Sequence, residues 1–343
     1  MTKVPLSLVD RDKLDNSFAG MDDPKNFTRF EKFILSSVAN ALSTSNIPIR
    51  SKDTILIVST TKGNIDLLES NKRSQFSEER KYIWNTADLV NDYFGFENEP
   101  IVMCNACISG VLAINTGRML LEKGIYKHAV VVGADILSRF VISGFQSFQS
   151  LSPKPCRPFD KSRDGLSLGE GSSTMVLSTE HAFTNKKHQV SVIAGSGSND
   201  ANHISGPSRS GEGLIHDISK TLLEAGMQPE QIDFLSSHGT ATDYNDEMEA
   251  KAFNWAGLNN VPVNSFKGYF GHTMGAAGVL ESVLSVASMR GDMLFNSLGY
   301  DQHGVSIPLK IISGHKEIEM KHILKTASGF GGCNATLIFK KEL

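Results

Sequence analysis

Short apolar runs alternate with longer segments of helical periodicity along most of this chain. The runs are nearly continuous in Val, Ile and Leu, which is typical of strands covered on both faces. We predict strands at Thr54–Ser59, Pro100–Cys104, Ala129–Gly133, Thr174–Ser178, Val190–Ala194, Asp233–Ser236, Val261–Asn264, Leu324–Ala327 and Ala335–Phe339. We predict helices at Phe27–Thr44, Ile108–Lys123, Gly213–Gly226, Asn245–Trp255 and Ala276–Arg290. This alternation predicts an α/β fold with parallel sheets.

The polar stretch Thr179–Gln189 separates two halves in this pattern. We therefore place a boundary between residues 183 and 184 and expect each half, 1–183 and 184–343, to hold its own sheet and helices. Two long loops, Ser147–Gly171 and Ser196–Gly213, are candidates for functional segments, because loops of that length in a compact domain are often functional.

Composition narrows the protein class. The 343 residues are 40% hydrophobic and 21% charged, which indicates a globular chain. The net charge of −3 argues against wholesale nucleic-acid binding. Four cysteines in so long a chain indicate a reducing, cytoplasmic location rather than a disulfide scaffold. No secretion signal and no apolar stretch of about 18 residues is visible, so we predict no membrane span.

Cys107 directly precedes the predicted helix Ile108–Lys123 and follows the strand Pro100–Cys104. A thiol at a helix N-terminus faces free backbone N–H groups, which can hold its pKa below the usual value of about 8.5. The strand-to-helix turn also projects the side chain sharply, as in nucleophile elbows. Because buried structural cysteines are common, position alone leaves both interpretations open.

Cys104 and Cys107 also form a C-x-x-C pair, the pattern of a redox dithiol or half a metal site. We expect the sulfur of Cys104 to be buried, because the residue lies inside an apolar strand. Neither Cys156 nor Cys333 has a second cysteine at matching spacing, so we predict no metal site, while a redox role stays open.

Two histidine segments are candidates for chemistry. His238 ends a predicted strand and is followed by glycine and threonines, which allow close approach of a substrate. Lys267 and His272 lie in a glycine-rich turn before the small residues Gly275–Gly278, which predict tight packing. A nearby lysine lowers the pKa of a histidine, and a neutral imidazole can donate a hydrogen bond to an oxyanion. Glu281, among apolar neighbours, should be buried with a partner.

The acidic residues after His238 have a simpler interpretation. Asp246, Glu247 and Glu249 suit a helix N-terminus electrostatically and need no functional role. Near the C-terminus, Gly329-Phe330-Gly331-Gly332 predicts a bendable loop carrying an aromatic residue, although alone it indicates only a hairpin turn.

Taken together, these segments resemble the β-ketoacyl-acyl carrier protein synthases I and II. NACISG, HGTATDYND, KGYFGHTMGAAG and GFGGCN occur in the order and at about the separations of that family, and Arg157–Leu177 is also similar. The resemblance runs from about Ile55 to the C-terminus. It implies a thiolase-like α-β-α-β-α layered fold of two similar halves, with the nucleophile in 1–183 and both histidines and a gating loop in 184–343.

The resemblance implies a decarboxylative Claisen condensation. Cys107 would accept the acyl chain, and His238 and His272 would bind the malonyl thioester carbonyl and promote loss of its carboxylate. Two histidines are typical of the elongating synthases, since the initiating ones use His and Asn and thiolases use His and a second Cys.

Other residues match supporting positions of the family. Lys267 and Glu281 would support the histidines. The backbone N–H groups of Cys107 and Phe330 would form the oxyanion hole, and Phe330 would also gate the acyl tunnel that Phe145 lines.

The resemblance also implies partners. The substrates would be carried on the phosphopantetheine of an acyl carrier protein, with no cofactor. Lys25, Arg29 and Lys32 resemble the family's carrier-docking region, although an ordinary solvated helix face is the alternative. Family members pair through the strand before the nucleophile, so we expect a homodimer, with a heterodimer of two synthase-like chains as the alternative.

The chain departs from the family at its start. A glycine-bearing first strand of the type VVITGxG is absent. We expect that strand to lie within the sheet of the first half, so a rearranged N-terminal segment or a second chain must cover its place.

Two other functions stay open. A non-catalytic, chain-length-type subunit would share the fold, but such subunits typically lose the nucleophile. A Cys-His hydrolase of another fold would not explain Lys267, His272 and the GFGG loop together. Acyl length, saturation and pathway are not visible in the sequence.

Overall fold

The computed structural model describes residues 4–69, 75–180, 189–200, 203 and 206–342. These residues form two mixed β-sheets with helices between them and on both outer faces, which gives five layers in the order α-β-α-β-α. The layered fold predicted from the sequence is confirmed.

All the predicted strands and helices are present, one strand (Thr54–Ser59) with the predicted bounds and the others with shifted ends. The helices are α1 (Arg11–Phe18), α2 (Arg29–Leu42), α3 (Ile83–Phe94), α4 (Ser109–Glu122), α5 (Arg139–Ser147), α6 (Glu212–Ala225), α7 (Asp243–Trp255), α8 (Lys267–Phe270) and α9 (Ala277–Arg290). The strands are β1 (Leu6–Ser7), β2 (Thr54–Ser59), β3 (Ile101–Met103), β4 (His128–Asp135), β5 (Leu168–Gly169), β6 (Gly171–Ser178), β7 (Val190–Asn199), β8 (Phe234–Ser236), β9 (Pro262–Asn264), β10 (Met293–Leu294), β11 (Lys310–Ile311), β12 (Lys316–Glu317), β13 (His322–Gly329) and β14 (Cys333–Lys341). The sequence pattern did not predict α1, α3, α5, α8 or the short strands β1, β5, β10, β11 and β12.

The two main sheets have related strand orders. The first is β3-β2-β4-β6 and the second is β11-β9-β8-β13-β14-β7. The first takes its strands from residues 54–178 and the second from residues 190–341, while the boundary predicted at 183/184 lies outside the described residues.

The prediction of parallel sheets was correct for β2, β3 and β4 and for β8, β9 and β13, but wrong for three other pairs. β6 runs antiparallel to β4, and β14 runs antiparallel to both β13 and β7. The pairing of β13 with β14 follows from the short turn between them, in which Gly331 and Gly332 have φ values of 84° and 72°. A turn this tight folds the chain back on itself, whereas the helical crossovers elsewhere leave strands parallel.

Strand β2 shows why its sequence is apolar at every position. Ile55 and Ile57 face the central helices, while Leu56 and Val58 face the outer layer that contains α2 and α3. All four are fully buried. A strand covered on both faces has no solvent-facing side to carry polar residues.

The central layer consists of α4 and α9, which cross at two glycines. A Cβ atom on Gly110 would lie 2.6 Å from the Val279 backbone N, and one on Gly278 would lie 2.4 Å from the Val111 backbone N. The two helices therefore touch backbone to backbone. This contact confirms the tight packing predicted for residues 275–278.

The strand missing from the first half belongs at an edge. When the two strand orders are aligned, β3-β2-β4-β6 corresponds to β9-β8-β13-β14. The counterpart of β7 would therefore lie beyond β6. No strand lies there among the described residues, and the expectation of a missing interior strand was wrong. The N-terminal segment instead pairs β1 with β5, next to the start of β6.

No helix within the described ranges is long and apolar enough to cross a membrane.

We expect Gly278→Ala to destabilise the protein, because its methyl group has no room against the backbone of α4. Overpacking typically costs about 1–3 kcal/mol, which would outweigh the gain in helix propensity of about 1 kcal/mol. Urea unfolding would measure the loss. Gly314→Ala is the control, since nothing lies within 4 Å of a Cβ there. Equal stability of the two variants would contradict the close crossing.

Candidate active site

Cys107 lies in a sharp turn between β3 and α4. Ala106 has a φ of 43°, which is uncommon for a residue with a side chain. The Ser109 hydroxyl accepts from the Asn105 N–H and donates to the Ala106 carbonyl, both at 2.7 Å, and so fixes the turn. The turn directs the nearly buried Cys107 side chain toward the start of α9, as predicted for a nucleophile elbow.

The other cysteines have separate environments. Cys104 is exposed, and its thiol donates to the Thr61 carbonyl at 3.5 Å, so the expectation of a buried sulfur was wrong. The strand β3 ends at Met103, before Cys104, which explains the exposure. Cys156 and Cys333 are buried, and their thiols donate to the Lys267 carbonyl and to an Asn105 side chain.

His272 directly contacts the nucleophile. Its Nε2 lies 3.0 Å from the Cys107 sulfur, and its Nδ1 accepts from the Met274 N–H at 3.3 Å. Because Nδ1 accepts, the proton of the neutral ring is on Nε2, which then points a donor at the sulfur. The His272 backbone is tied to the long loop before β6, since its N–H donates to the Ser167 carbonyl at 2.7 Å.

His238 approaches the same point from the end of β8. Its ring lies edge-on to that of His272, with 5.2 Å between centroids. The Lys267 ammonium is 3.2 Å from its Nδ1, so Nδ1 is the acceptor and Nε2 carries the proton. Glu249 holds the His238 backbone by accepting its N–H at 2.8 Å and that of Gly239 at 2.6 Å.

A buried carboxylate links two lysines behind the histidines. Glu281, on α9, accepts from Lys267 and from Lys325, each at 2.6 Å, and all three side chains are at most 1% exposed. The prediction that Glu281 is buried with a partner is confirmed. Burial alone would raise the pKa of Glu281, but the two ammonium groups lower it below its usual value.

Burial sets the protonation states of the three central groups. The pKa values of His238 and His272 lie well below 6.5, first because of burial and then because of the positive charge of Lys267. Both imidazoles are therefore neutral, in agreement with the sequence prediction. Burial also raises the pKa of Cys107 to about 11, although Lys267 and a hydrogen bond from the Phe330 N–H oppose the rise.

The pKa of Cys107 corrects a sequence expectation. A helix N-terminus was expected to hold the thiol pKa low, yet the buried group is protonated at neutral pH. Its proton must leave as the thiol reacts.

A cavity of about 380 Å³ opens beside Cys107. Phe330 and Phe145 line it and stack on each other with 5.6 Å between centroids, and Phe145 also meets the edge of the His272 ring. Phe330 lies in the turn between β13 and β14. The segment predicted either as a hairpin turn or as a loop carrying an aromatic residue is therefore both. Phe330 also places its backbone N–H at the Cys107 sulfur.

The three basic residues proposed for carrier docking do not form one exposed surface. Arg29 pairs with the nearly buried Glu170, and Lys32 is itself buried against Asp15. Lys25 alone of the three is exposed. Arg29 and Lys32 therefore form ion pairs within the chain and do not present free charges to a carrier protein.

Sequence analysis missed several residues of the site. Lys325 lies in the middle of the buried strand β13, and a lysine inside an apolar run was the available signal. Asp246 and Glu249 do more than suit a helix N-terminus, since both are buried and accept from the loop after His238. Asp135, at the end of β4, accepts from the Gly275 N–H at 2.7 Å and holds the turn before α9.

The sulfur of Cys107 and one ring nitrogen each of His238 and His272 lie within 4.8 Å of one another. Three such atoms could coordinate a metal ion, but two buried lysine ammonium groups lie behind them and oppose a cation. The absence of a metal stays a prediction.

Known proteins resemble this chain over most of its length. The 3-oxoacyl-[acyl-carrier-protein] synthase 2 of Vibrio cholerae is 28% identical over 347 residues, covering 93% of this chain and 84% of that protein. A mitochondrial protein of Schizosaccharomyces pombe named as a 3-oxoacyl-[acyl-carrier-protein] synthase is 30% identical over 277 residues. That match covers 75% of this chain but only 65% of the yeast protein.

Solved structures share the fold. A ketosynthase from Xenorhabdus doucetiae, determined in complex with its chain length factor, matches with a TM-score of 0.82 and 26% identity. The match covers 99% of this chain and 87% of that one. The family model "Beta-ketoacyl synthase, N-terminal domain" matches residues 2–182, and "Beta-ketoacyl synthase, C-terminal domain" matches residues 190–301. With its cysteine and two histidines converging between two thiolase-like halves, the chain belongs to the β-ketoacyl synthase family of condensing enzymes, as its motifs indicated.

Proposed function

We propose that this chain condenses an acyl group held on Cys107 with malonyl-acyl carrier protein to give β-ketoacyl-acyl carrier protein and CO2. One observation carries the proposal: the Cys107 sulfur lies 3.0 Å from His272 Nε2, and a nitrogen of His238 lies within 4.8 Å of both. A nucleophile and two neutral donors at one point are what this chemistry requires.

In the first half-reaction, the Cys107 sulfur attacks the carbonyl carbon of an acyl thioester. The S–C bond forms, the bond to the carrier thiol breaks, and the proton of Cys107 ends on the leaving thiol. The Phe330 N–H and the His272 Nε2–H both face the sulfur and stabilise the negative charge that develops there. Deprotonation thus accompanies the attack, which suits a thiol with a raised pKa.

In the second half-reaction, the malonyl thioester oxygen accepts from the Nε2–H groups of His238 and His272. The bond between the malonyl carboxylate and its neighbouring carbon breaks, CO2 leaves, and the electron pair forms an enolate on that oxygen. Neutral donors are suited to this step, because the negative charge appears only as the bond breaks.

The enolate carbon then attacks the acyl carbonyl on Cys107. The tetrahedral oxyanion would lie in the hole formed by the backbone N–H groups of Cys107 and Phe330. Collapse forms the β-keto group and releases the Cys107 thiolate, which takes up a proton from solvent, since its own proton left with the carrier thiol.

Lys267 and Lys325 would act as positioning residues in this scheme. Burial is the main reason that His238 and His272 are neutral, and the charges of Lys267 and Lys325 add to it, while Glu281 balances part of the positive charge and fixes both ammonium groups. Removing one partner of such a buried pair typically costs about 3–5 kcal/mol, so the network also fixes the fold around the site.

The named relatives support acyl carrier protein as the partner that brings both substrates on phosphopantetheine. We propose further that the enzyme uses no cofactor or metal and works in the cytoplasm, in fatty acid or polyketide-type elongation. A chain-length-type subunit without activity is the alternative, because two structural neighbours are ketosynthases described together with a chain length factor. The intact cysteine and histidine cluster favours the catalytic role.

A dimer through β3 is part of the proposal. β3 pairs only with β2 among the described strands, so its outer edge is open. Beside it, Leu68, Tyr82 and Trp84 are about half exposed, at 58%, 49% and 54%. An open edge next to exposed apolar side chains supports pairing with a second chain.

Cys107→Ala should abolish acyl transfer to the enzyme, because no other thiol faces the histidines. Malonyl decarboxylation should survive, since His238 and His272 remain. Intact-protein mass spectrometry after incubation with acyl-acyl carrier protein tests this. Cys104→Ala is the matched control and should still be acylated. Acyl mass that appears on Cys104 in Cys107→Ala would overturn the assignment, and no acylation of the wild-type chain would favour the non-catalytic alternative.

His238→Ala should spare acylation and slow condensation by roughly 10²–10³, the usual effect of losing one oxyanion donor. His272→Ala should reduce both half-reactions, because its Nε2 also contacts the Cys107 sulfur. Single-turnover kinetics of each half-reaction separate the two effects, and the exposed His216→Ala serves as the control. Equal loss in both half-reactions of His238→Ala would argue against separate roles.

The purified chain should run as a stable dimer in size-exclusion chromatography with light scattering, and as a homodimer when it is expressed alone. Insoluble or inactive material that is rescued by a co-expressed synthase-like chain would favour the heterodimer. A soluble, active monomer would refute both.

A further inference from the structure

Lys62 is a cation in the wall of the cavity beside Cys107. It follows β2 and is half-buried. Its ammonium makes one hydrogen bond, to the hydroxyl of its neighbour Thr61 at 3.2 Å. Within the ranges that the structure describes, no carboxylate pairs with it.

This lack of a partner distinguishes Lys62 from the other enclosed lysines. Lys32 pairs with Asp15, and Lys267 and Lys325 share Glu281. A half-buried cation beside an apolar wall, with one hydroxyl as its acceptor and no carboxylate partner, is only partly compensated. A negatively charged oxygen on a ligand would offset that cost at Lys62.

The backbone around Lys62 is held in place from both sides. On one side, Asp135 accepts from the Thr60 hydroxyl at 2.8 Å and from the Thr61 N–H at 3.1 Å, and the same carboxylate holds the turn before α9. On the other side, Asn64 donates to the buried Glu31 at 3.1 Å. The base of the lysine is therefore fixed relative to the histidine turn, although its end is long and flexible.

The rest of the cavity wall is mostly apolar. Besides Thr61, Lys62 and Cys107, it consists of Ala106, Phe140, Val141, Gly144, Phe145, Phe148, Met274 and Phe330. A second cavity of about 720 Å³ shares Thr61 and Lys62 and continues toward Tyr82 and Trp84. Lys62 thus stands where the space beside the nucleophile meets a larger groove, whose Tyr82 and Trp84 also border the proposed dimer contact at β3. An acyl chain extending from Cys107 toward that contact would pass the Lys62 ammonium.

We propose that Lys62 binds an anionic oxygen, of the carboxylate class, carried by the acyl group on Cys107. The inference deepens the proposed function, on which it rests, by naming a substrate class: acyl thioesters with a negatively charged group several carbons from the thioester. A wholly apolar wall would suit a plain hydrocarbon chain, whereas a cation without a carboxylate partner, carried on a fixed backbone, selects for a charged one.

Lys62 also affects the pKa of Cys107. Burial raises the pKa of Cys107, and Lys62 is among the groups that oppose the rise, after Lys267 and the Phe330 hydrogen bond. A test must therefore separate recognition of the acyl group from an effect on the thiol. Substrates that differ only in distal charge achieve this, because any effect on the thiol is common to both.

The experiment compares octanoyl- and 7-carboxyheptanoyl-acyl carrier protein, with Cys107 acylation rates measured by mass spectrometry. We expect Lys62→Met to slow the carboxylated substrate by roughly 10- to 100-fold, the effect of losing a charged hydrogen bond, and to leave octanoyl transfer equal or faster. Lys62→Arg should retain most of the preference. The matched control is Lys81→Met, which removes a lysine that lines the outer groove but not the cavity beside Cys107. Equal slowing of both substrates, or no change in either, would overturn the proposal.

A carrier-free readout keeps this inference separate from the proposed function. Alkylation of Cys107 by 6-iodohexanoate or by neutral 6-iodohexanamide forms a C–S bond, releases iodide and needs no acyl carrier protein. Wild type should favour the carboxylate reagent, and Lys62→Met should lose that preference. If acyl transfer fails while this preference is present, the proposed function is wrong and the anion site stands. An unchanged ratio of the two alkylation rates in Lys62→Met would refute the site.

Discussion

The geometry of the active site depends on the backbone contact between α4 and α9. Gly110 and Gly278 allow the two helices to touch without intervening side chains. The helices occupy equivalent places in the two halves, and each begins beside a reacting group, Cys107 before α4 and His272 before α9. A wider crossing would separate these helix starts by the thickness of a side chain. The 3.0 Å approach of sulfur to imidazole therefore follows from two absent Cβ atoms.

Around that contact, burial and the charges of two lysines keep both histidines neutral. Two lysines and one glutamate lie behind the histidines, which leaves more positive than negative charge next to His238 and His272. Protonating either ring would add another cation to a site that water does not screen. Neutral rings with protons on Nε2 are then the stable state, and they are also the donors that an enolate requires. The stability of the buried network and the chemistry of the site favour the same protonation state.

The sequence predicts those features of the fold and the site that are determined by residues close together along the chain. The strand β2 was predictable because burial on both faces leaves every position apolar, and the nucleophile turn because a cysteine stands between a strand and a helix. The antiparallel course of β6, the exposure of Cys104 and the raised pKa of Cys107 depend on which distant segments lie alongside, which no local pattern encodes. Lys325 was visible as a charge in an apolar strand, but its partner Glu281 is 44 residues away along the chain, so the pairing was not.

The first half has no described counterpart of β7. This difference leaves the catalytic contacts intact because that strand would lie at the edge of the sheet, away from the site. In the order β3-β2-β4-β6, the strand before the nucleophile forms one edge, and β6, which among the described strands pairs only with β4, forms the other. A counterpart of β7 would lie beyond β6, with the whole sheet between it and β3. The catalytic contacts come from the ends of β3 and β8 and the starts of α4 and α9, none of which would touch that strand. In the described part of the chain, the outer edge of β6 thus stays open for another strand, while the site keeps every contact that holds its cysteine and histidines together.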